Sequence, residues 1–426
     1  MIRHRLQVAP LAAGFHLLTI SAGAVVVGLI TGTSSWLLFE ALDNATDIRL
    51  ENSWLVWTLP LMAFALGLVY HYGAGPSQQG TSLVIRRSLP ATLEQQSDQT
   101  PPIVPYRMAP LIFGATYLAQ LSGASVGREG AALQVGGSLT SLLFRPLRLK
   151  ERDARLLLIA AMAGAFGGAF GVPVAGAIFG LEVQQTGRLR YEGLAPALAA
   201  SVTADRIVEA LGRSTPILNL PVDLDTGVLL RLVVVGVCAG LTARIFMALT
   251  RFIRIGLQRW ILWTPIRPVI GAVATLFLMI LVGRDYLGLS LPLIDQALTG
   301  ELADWWEPAL KILFTAVALG SGIPGGEVTP LFVIGATLGS TLSAPLDLPP
   351  TLAAAATLAA VFGAAANTPV ACTVLVIELF GASMLVPAAI VCIVAYAISP
   401  ERGIYEGQST GSKKDLRASE VQQPPA

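Results

Sequence analysis

A chain of 426 residues with 54% hydrophobic and only 13% charged side chains is too apolar for an ordinary soluble domain, which carries about 25% charge. Its formal net charge of +1 gives no reason to expect a nucleic-acid partner. Three scattered histidines (His4, His16, His71) have no metal-ligand spacing, and three cysteines (Cys238, Cys372, Cys392) all sit in apolar runs as buried thiols, so neither a metal, a cofactor nor a disulfide framework is implied.

The chain opens with a short basic lead, Met1 to Val8. The apolar run from Ala9 to Leu42 is too long for a signal-peptide core and is expected to be retained as a first membrane helix. Asp43 to Asn52 is predicted to be a polar loop. Trp54 to Tyr70 is a second span, with Trp54, Trp57 and Tyr70 suited to the membrane interfaces. A Gly/Pro/Ser/Gln break covers Gly73 to Gly80, and a proline-bearing polar loop covers Arg86 to Arg107. Apolar segments then follow closely at 106–122, 130–144, 155–170, 172–184, 194–212, 226–250, 261–283, 306–320, 328–345, 350–366, 368–380 and 383–398. Several fall short of the roughly 20 residues a spanning helix needs, and many are cut by Gly or Pro. Broken helices survive in a membrane only where neighbouring protein or a water cavity satisfies their backbone. The chain therefore reads as all-α and polytopic: a single membrane domain over 1–426 that ends in a disordered polar tail, 408–426. Both termini carry Arg or Lys and are expected in the cytoplasm.

One stretch breaks the apolar pattern with charge. Gly127-Arg128-Glu129-Gly130 stands between the apolar runs Tyr106 to Ser125 and Ala131 to Phe144. Ionisable residues at membrane depth mark an ion path or a proton relay, or else a structural pair bridging two helices. The glycines let the backbone turn and approach a ligand closely. Glu129 is placed at a helix N-terminus, where the N–H groups and the dipole favour negative charge, its own or an anion's.

The pattern recurs. Glu129, in Gly127 to Gly137, aligns with Glu327, in Gly325 to Gly335, at an offset of 198 residues (129 to 327). Pro173-Val174-Ala175, leading to Glu182, aligns with Pro369-Val370-Ala371, leading to Glu378, at an offset of 196 (173 to 369). Two matches nearly in register point to a first repeat half over 9–212 and a second over 226–407. Internal repeats of Gly/Pro-broken short helices are the sequence mark of a transporter with its site at the repeat interface. Glu182 and Glu378 end matching helices and are read as capping or pairing residues.

These residues resemble the CLC family of anion channels and anion/proton antiporters. The likeness rests on Gly127-Arg128-Glu129-Gly130, Pro173-Val174-Ala175-Gly176 with Glu182, Gly322-Ile323-Pro324-Gly325-Gly326, and Gly403-Ile404-Tyr405, in the family's order. The resemblance implies inverted repeats, a homodimer in which each subunit has its own pore, and helix N-termini aimed at an anion in mid-membrane. It assigns Glu129 as the gating glutamate and Tyr405 as the hydroxyl facing the central anion. Three features depart from chloride/proton members. Val183 stands where they carry a proton-relay glutamate. The segment Glu327-Val328-Thr329-Pro330 resembles the bacterial branch that exports fluoride against protons, which makes Glu327 a second pore-side carboxylate and Thr329 a hydroxyl ligand. The early anion segment is read as Gly80-Thr81-Ser82-Leu83, or else as Gly73-Ala74-Gly75-Pro76, and has neither the serine of chloride members nor the methionine of the fluoride branch.

The expectation is a halide/proton antiporter of a bacterial plasma (inner) membrane, with fluoride preferred and no enzymatic activity. Glu129 and Glu327 serve the gate and the proton. Gly127, Arg128, Gly130, Thr81, Val328, Thr329 and Tyr405 surround the anion, with Arg128 orienting the loop. The alternative is a chloride channel or chloride/proton antiporter of the same family. A passive channel has no need of a second proton site, so Glu327 separates the classes. An intramembrane enzyme finds no support, since no His-Glu-x-x-His pair exists.

Overall fold

The structure, a computed structural model, describes residues 2–89, 104–144, 146–215, 217–222 and 224–409, with side chains from Leu18 onward. The predicted tail beyond Ser409 and most of the loop 86–107 lie outside the described residues. Among the described residues there are sixteen α-helices and no strand. The first eight are α1 (Ile2–Glu51), α2 (Leu59–Gly73), α3 (Thr81–Ser88), α4 (Met108–Leu121), α5 (Glu129–Ser141), α6 (Glu151–Phe170), α7 (Pro173–Glu182) and α8 (Leu194–Ala210). The others are α9 (Thr226–Trp260), α10 (Ile266–Val282), α11 (Leu291–Thr299), α12 (Glu307–Ser321), α13 (Val328–Ser343), α14 (Pro350–Ala366), α15 (Pro369–Phe380) and α16 (Leu385–Ile398). By length and composition, Leu18–Glu51, Ser53–Gly73, Glu151–Phe170 and Thr226–Trp260 can each cross a bilayer. The other apolar helices are shorter, as broken spans are. The core is lined by small residues: Ala353, Ala354, Ala355, Ala356, Ala359 and Ala360 of α14 are all fully buried. Small side chains let helix backbones approach closely where no hydrophobic force separates helix from lipid.

Two predicted boundaries are corrected. Asp43 to Glu51 is not a loop but the last turns of α1. Its polar residues have partners inside the protein: Arg49 Nη1 donates to Gln120 O at 3.1 Å, and Gln120 Nε2 donates to Thr46 Oγ1 at 2.9 Å. Helix α9 runs ten residues past the apolar segment that ends at 250, and its added turns carry Arg254, which pairs with Glu406 at 3.1 Å. The short helices α3 and α11 are additions to the predicted elements.

Helices α7 and α15 lock each other end to end. Glu182 Oε1 and Oε2, at the C-terminus of α7, accept from Val370 N (3.1 Å) and Ala371 N (2.8 Å), the first N–H groups of α15. Glu378, near the end of α15, accepts from Val174 N (3.0 Å) and Ala175 N (2.7 Å) of α7 in the same way. Each carboxylate satisfies two orphan donors and opposes the positive end of a helix dipole. The two helices must run antiparallel for this to be reciprocal.

A second buried charge has no carboxylate partner among the described residues. Lys311 of α12 is fully buried, and its Nζ lies within hydrogen-bond distance of Ser125 Oγ (2.9 Å), Gly288 O (2.9 Å), Ser290 Oγ (2.8 Å) and Tyr286 O (3.2 Å), which share its donors. It ties the loop before α11 to the stretch just before Gly127.

Candidate functional site

Two loops meet at the centre of the molecule. Gly127 N donates to Gly326 O at 2.5 Å, and Gly326 N donates to Gly127 O at 2.8 Å. A side chain on Gly326 would meet Gly130 N at 2.8 Å, so only glycine permits the approach. Helix α5 starts at Glu129 and α13 at Val328, directly beyond this bridge. The small bridge therefore sets two helix N-termini side by side.

Glu129 reaches from the first of these to the second. Its Oε2 accepts from Thr329 N at 3.2 Å, from the Thr329 hydroxyl, and from Arg128 N at 3.3 Å. The side chain is 2% exposed. A carboxylate thus sits on the N-terminal N–H groups of α13, where an anion is favoured. Its other oxygen, Oε1, has Arg128 Nε at 3.4 Å, and that nitrogen makes no hydrogen bond.

A third helix start borders the pair. Thr81 opens α3, is buried, and accepts from Gln134 Nε2 at 3.2 Å. Its hydroxyl oxygen lies 3.7 Å from the place a Cβ on Gly130 would take. Of the two candidate early segments, Gly80-Thr81 is the one this contact sets beside Gly130. Glu327 occupies the N-cap position of α13 without capping it through its side chain. It is partly buried, with Oε1 enclosed, and faces Tyr405, with Glu129 nearby. Tyr405 is held by its chain neighbour, since Ile404 N donates to Ala365 O at 2.9 Å. Glu327 Oε1 and the Tyr405 hydroxyl are both buried and neither makes a hydrogen bond of normal geometry. Such orphan groups are rare and mark sites that bind something.

The structure therefore brings Gly127, Glu129, Gly130, Thr81, Glu327, Val328, Thr329 and Tyr405 together. Arg128 stands to one side, its Nη1 2.9 Å from Asp43 Oδ1 and its guanidinium carbon 4.4 Å from the Phe39 ring centre. Asp43, Arg213, Gln134 and Lys311 were missed from sequence, although an ionisable residue inside the apolar run 306–320 gives the same signal at Lys311 as at Glu129.

Residues 61–400 match the family model described as voltage gated chloride channel. The chain belongs to the CLC family. A "Chloride/fluoride channel protein" of Pseudomonas syringae pv. tomato is 37% identical over 417 residues, 94% of this chain and 90% of its own length. The "H(+)/Cl(-) exchange transporter ClcA" of Vibrio parahaemolyticus is 25% identical over 410 residues, 88% of this chain and 85% of its own. The crystal structure of a CLC-type fluoride/proton antiporter superposes with a TM-score of 0.86 at 33% identity, covering 93% of this chain and 99% of that one. A slow cyanobacterial Cl−/H+ antiporter shares the fold at a TM-score of 0.73 and 20% identity. In this CLC chain Val183 is buried and follows Glu182, whose carboxylate is engaged at α15.

Proposed function

We propose that this CLC protein exchanges fluoride for protons, with Glu129 as the gate and Glu327 as a second proton site. The observation that carries the reading is the Glu129 carboxylate seated on Thr329 at the start of α13, with a second carboxylate, Glu327, facing Tyr405 nearby. The ionised gate occupies the place of an anion, held by the donors an anion needs. Protonation removes the charge that holds it there, and an anion then replaces it. Fluoride gives up a tight hydration shell and requires hydrogen-bond donors in return. The backbone N–H and hydroxyl of Thr329 and the hydroxyls of Thr81 and Tyr405 supply them. Val328, Gly127 and Gly130 shape the wall, and Arg128 orients the loop. With Val183 in place of a relay carboxylate, Glu327 carries the proton on the inner side.

The two halves, 9–212 and 226–407, form the inverted repeats, and the protein works as a homodimer in a bacterial plasma membrane. Its thiols are free, so cross-linking in mild detergent is expected to give a dimer band insensitive to reductant. Reconstituted protein loaded with fluoride or chloride, with anion and pH electrodes read together, tests the exchange. Fluoride efflux accompanied by opposite proton movement is expected, and Glu129→Gln loses the proton component. Chloride efflux equal to fluoride efflux overturns the selectivity, and anion flux without protons in the unaltered protein makes it a channel.

A further inference from the structure

Beside the gate, four charged groups alternate in sign along one line. Arg213 Nη2 lies 2.7 Å from Asp43 Oδ2, Asp43 Oδ1 lies 2.9 Å from Arg128 Nη1, and Arg128 Nε lies 3.4 Å from Glu129 Oε1. Only the Asp43–Arg128 contact and the Arg213–Asp43 contact are close. The last contact is the longest, and Arg128 Nε, although buried, donates to nothing. Both guanidiniums also lie over the ring of Phe39, at 4.4 and 5.5 Å. Phe39 precedes Asp43 by four residues, so one face of α1 offers a ring and a carboxylate to the same pair of arginines. The outer pair is partly exposed, 29% at Arg213 and 40% at Asp43, and the inner pair is not, 12% at Arg128 and 2% at Glu129.

We propose that Asp43 is a positioning residue for the gate: shared between Arg213 and Arg128, it draws the Arg128 guanidinium away from the Glu129 carboxylate and so eases the gate's protonation. The proposal rests on the exchange reading above. A carboxylate paired firmly with arginine resists taking a proton, and one whose arginine is engaged elsewhere does not. Arg128 has one delocalised charge to share between two carboxylates. Asp43 takes the closer, hydrogen-bonded contact, and Arg213 competes with Arg128 for Asp43 and so limits that pull. The other groups around Glu129 do not compete for Arg128. Glu327 from α13 and Tyr405 from the C-terminal segment face each other near Glu129, and neither pairs with Arg128 among the described residues. Helices α3 and α13 meet it through Thr81 and Thr329, which do not titrate. On α1, Glu40 and Asp47 are exposed. On α8, Asp205, Arg206 and Glu209 pair with one another.

The test is the pH profile of fluoride/proton exchange in liposomes with equal pH on both sides. Asp43→Asn removes a negative charge near the gate and frees Arg128 toward Glu129. Both effects favour the charged gate, so the pH of half-maximal exchange falls, by about half to one unit. Arg213→Gln removes a positive charge and leaves Asp43 wholly to Arg128. Both effects act the other way, so the midpoint rises by a similar amount. Asp43→Glu keeps the charge and restores the profile. A merely structural role lowers turnover and leaves the midpoint in place, or moves both variants the same way, and either outcome overturns the proposal. Arg213 lies on the segment after α8, so Arg213→Gln carries the test alone if Asp43→Asn does not fold: an unmoved or lowered midpoint refutes it. The two readings fail separately. Proton coupling retained in Glu129→Gln removes the exchange reading, whereas coupling lost there with unmoved midpoints in the other variants removes only this one.

Discussion

Thr329→Val removes one hydroxyl from the start of α13 and keeps the side-chain shape and the backbone N–H. In the structure that hydroxyl and that N–H both donate to Glu129 Oε2. A hydrogen bond to a charged acceptor contributes about 1.5–3 kcal/mol. At about 1.4 kcal/mol per tenfold, an anion in the carboxylate's place then binds roughly 10- to 150-fold more weakly without it. The unaltered protein does not reveal this loss, because gate and anion compete for the same donors and both are weakened. The apparent affinity for fluoride should shift by less than about threefold there, the two losses of about 1.5–3 kcal/mol largely cancelling. Glu129→Gln removes the charged competitor. Fluoride should bind that variant more tightly than the parent, and adding Thr329→Val should expose the full loss. The assay is calorimetric titration of fluoride into purified protein in detergent, as a double-mutant cycle. If Thr329→Val costs the Glu129→Gln protein less than twofold, or costs the parent as much as the variant, gate and anion do not share the Thr329 donors.

Two further outcomes follow from the buried charges. Glu327→Gln is expected to slow proton movement at least tenfold in the paired electrode assay while Val183→Ala leaves it intact, and full coupled exchange by Glu327→Gln reduces Glu327 to a helix-start residue. Lys311→Met takes the donor from the Tyr286 and Gly288 carbonyls, at about 1–3 kcal/mol for each left unpaired, while the Ser125 and Ser290 hydroxyls keep Thr315 and Leu287 O, so the detergent-solubilised protein should melt a few degrees lower; an unchanged melting temperature shows that the tether does not hold the loop before α11.

How much could be seen in the chain beforehand depends on how far each residue's partner lies along it. The start of α5 was legible because Gly127, Glu129 and Gly130 are neighbours in sequence and their chemistry is local. The match of Glu129 to Glu327 was legible because it repeats at a nearly constant offset, and the structure joins those loops through Gly127 and Gly326. Asp43 was read as a loop residue because a carboxylate after a long apolar run ordinarily leaves the membrane. Its partners, Arg128 and Arg213, lie 85 and 170 residues further along the chain (43 to 128 and 43 to 213) and keep the carboxylate satisfied inside the helix. Lys311 likewise meets Ser125 across 186 residues. The deeper limit concerns four helix starts with similar small-residue or proline signatures: α5, α7, α13 and α15. In the sequence, Glu182 and Glu378 already stand apart as capping or pairing residues, and the tertiary contacts show the geometry of that difference. At α7 and α15, Glu378 and Glu182 each spread two oxygens over two backbone N–H groups, and among the described residues neither has an ion-pair partner. At α13, all the donors converge on one oxygen of Glu129, and the other oxygen has only an arginine that is bound more closely to Asp43. Two donors matched to two oxygens make a permanent cap. One oxygen crowded with donors is a place that a single small anion can take over, because a monatomic ion satisfies the same converging donors that a carboxylate satisfies with half of itself. On the reading proposed here, that difference in geometry separates the working carboxylate from the structural ones.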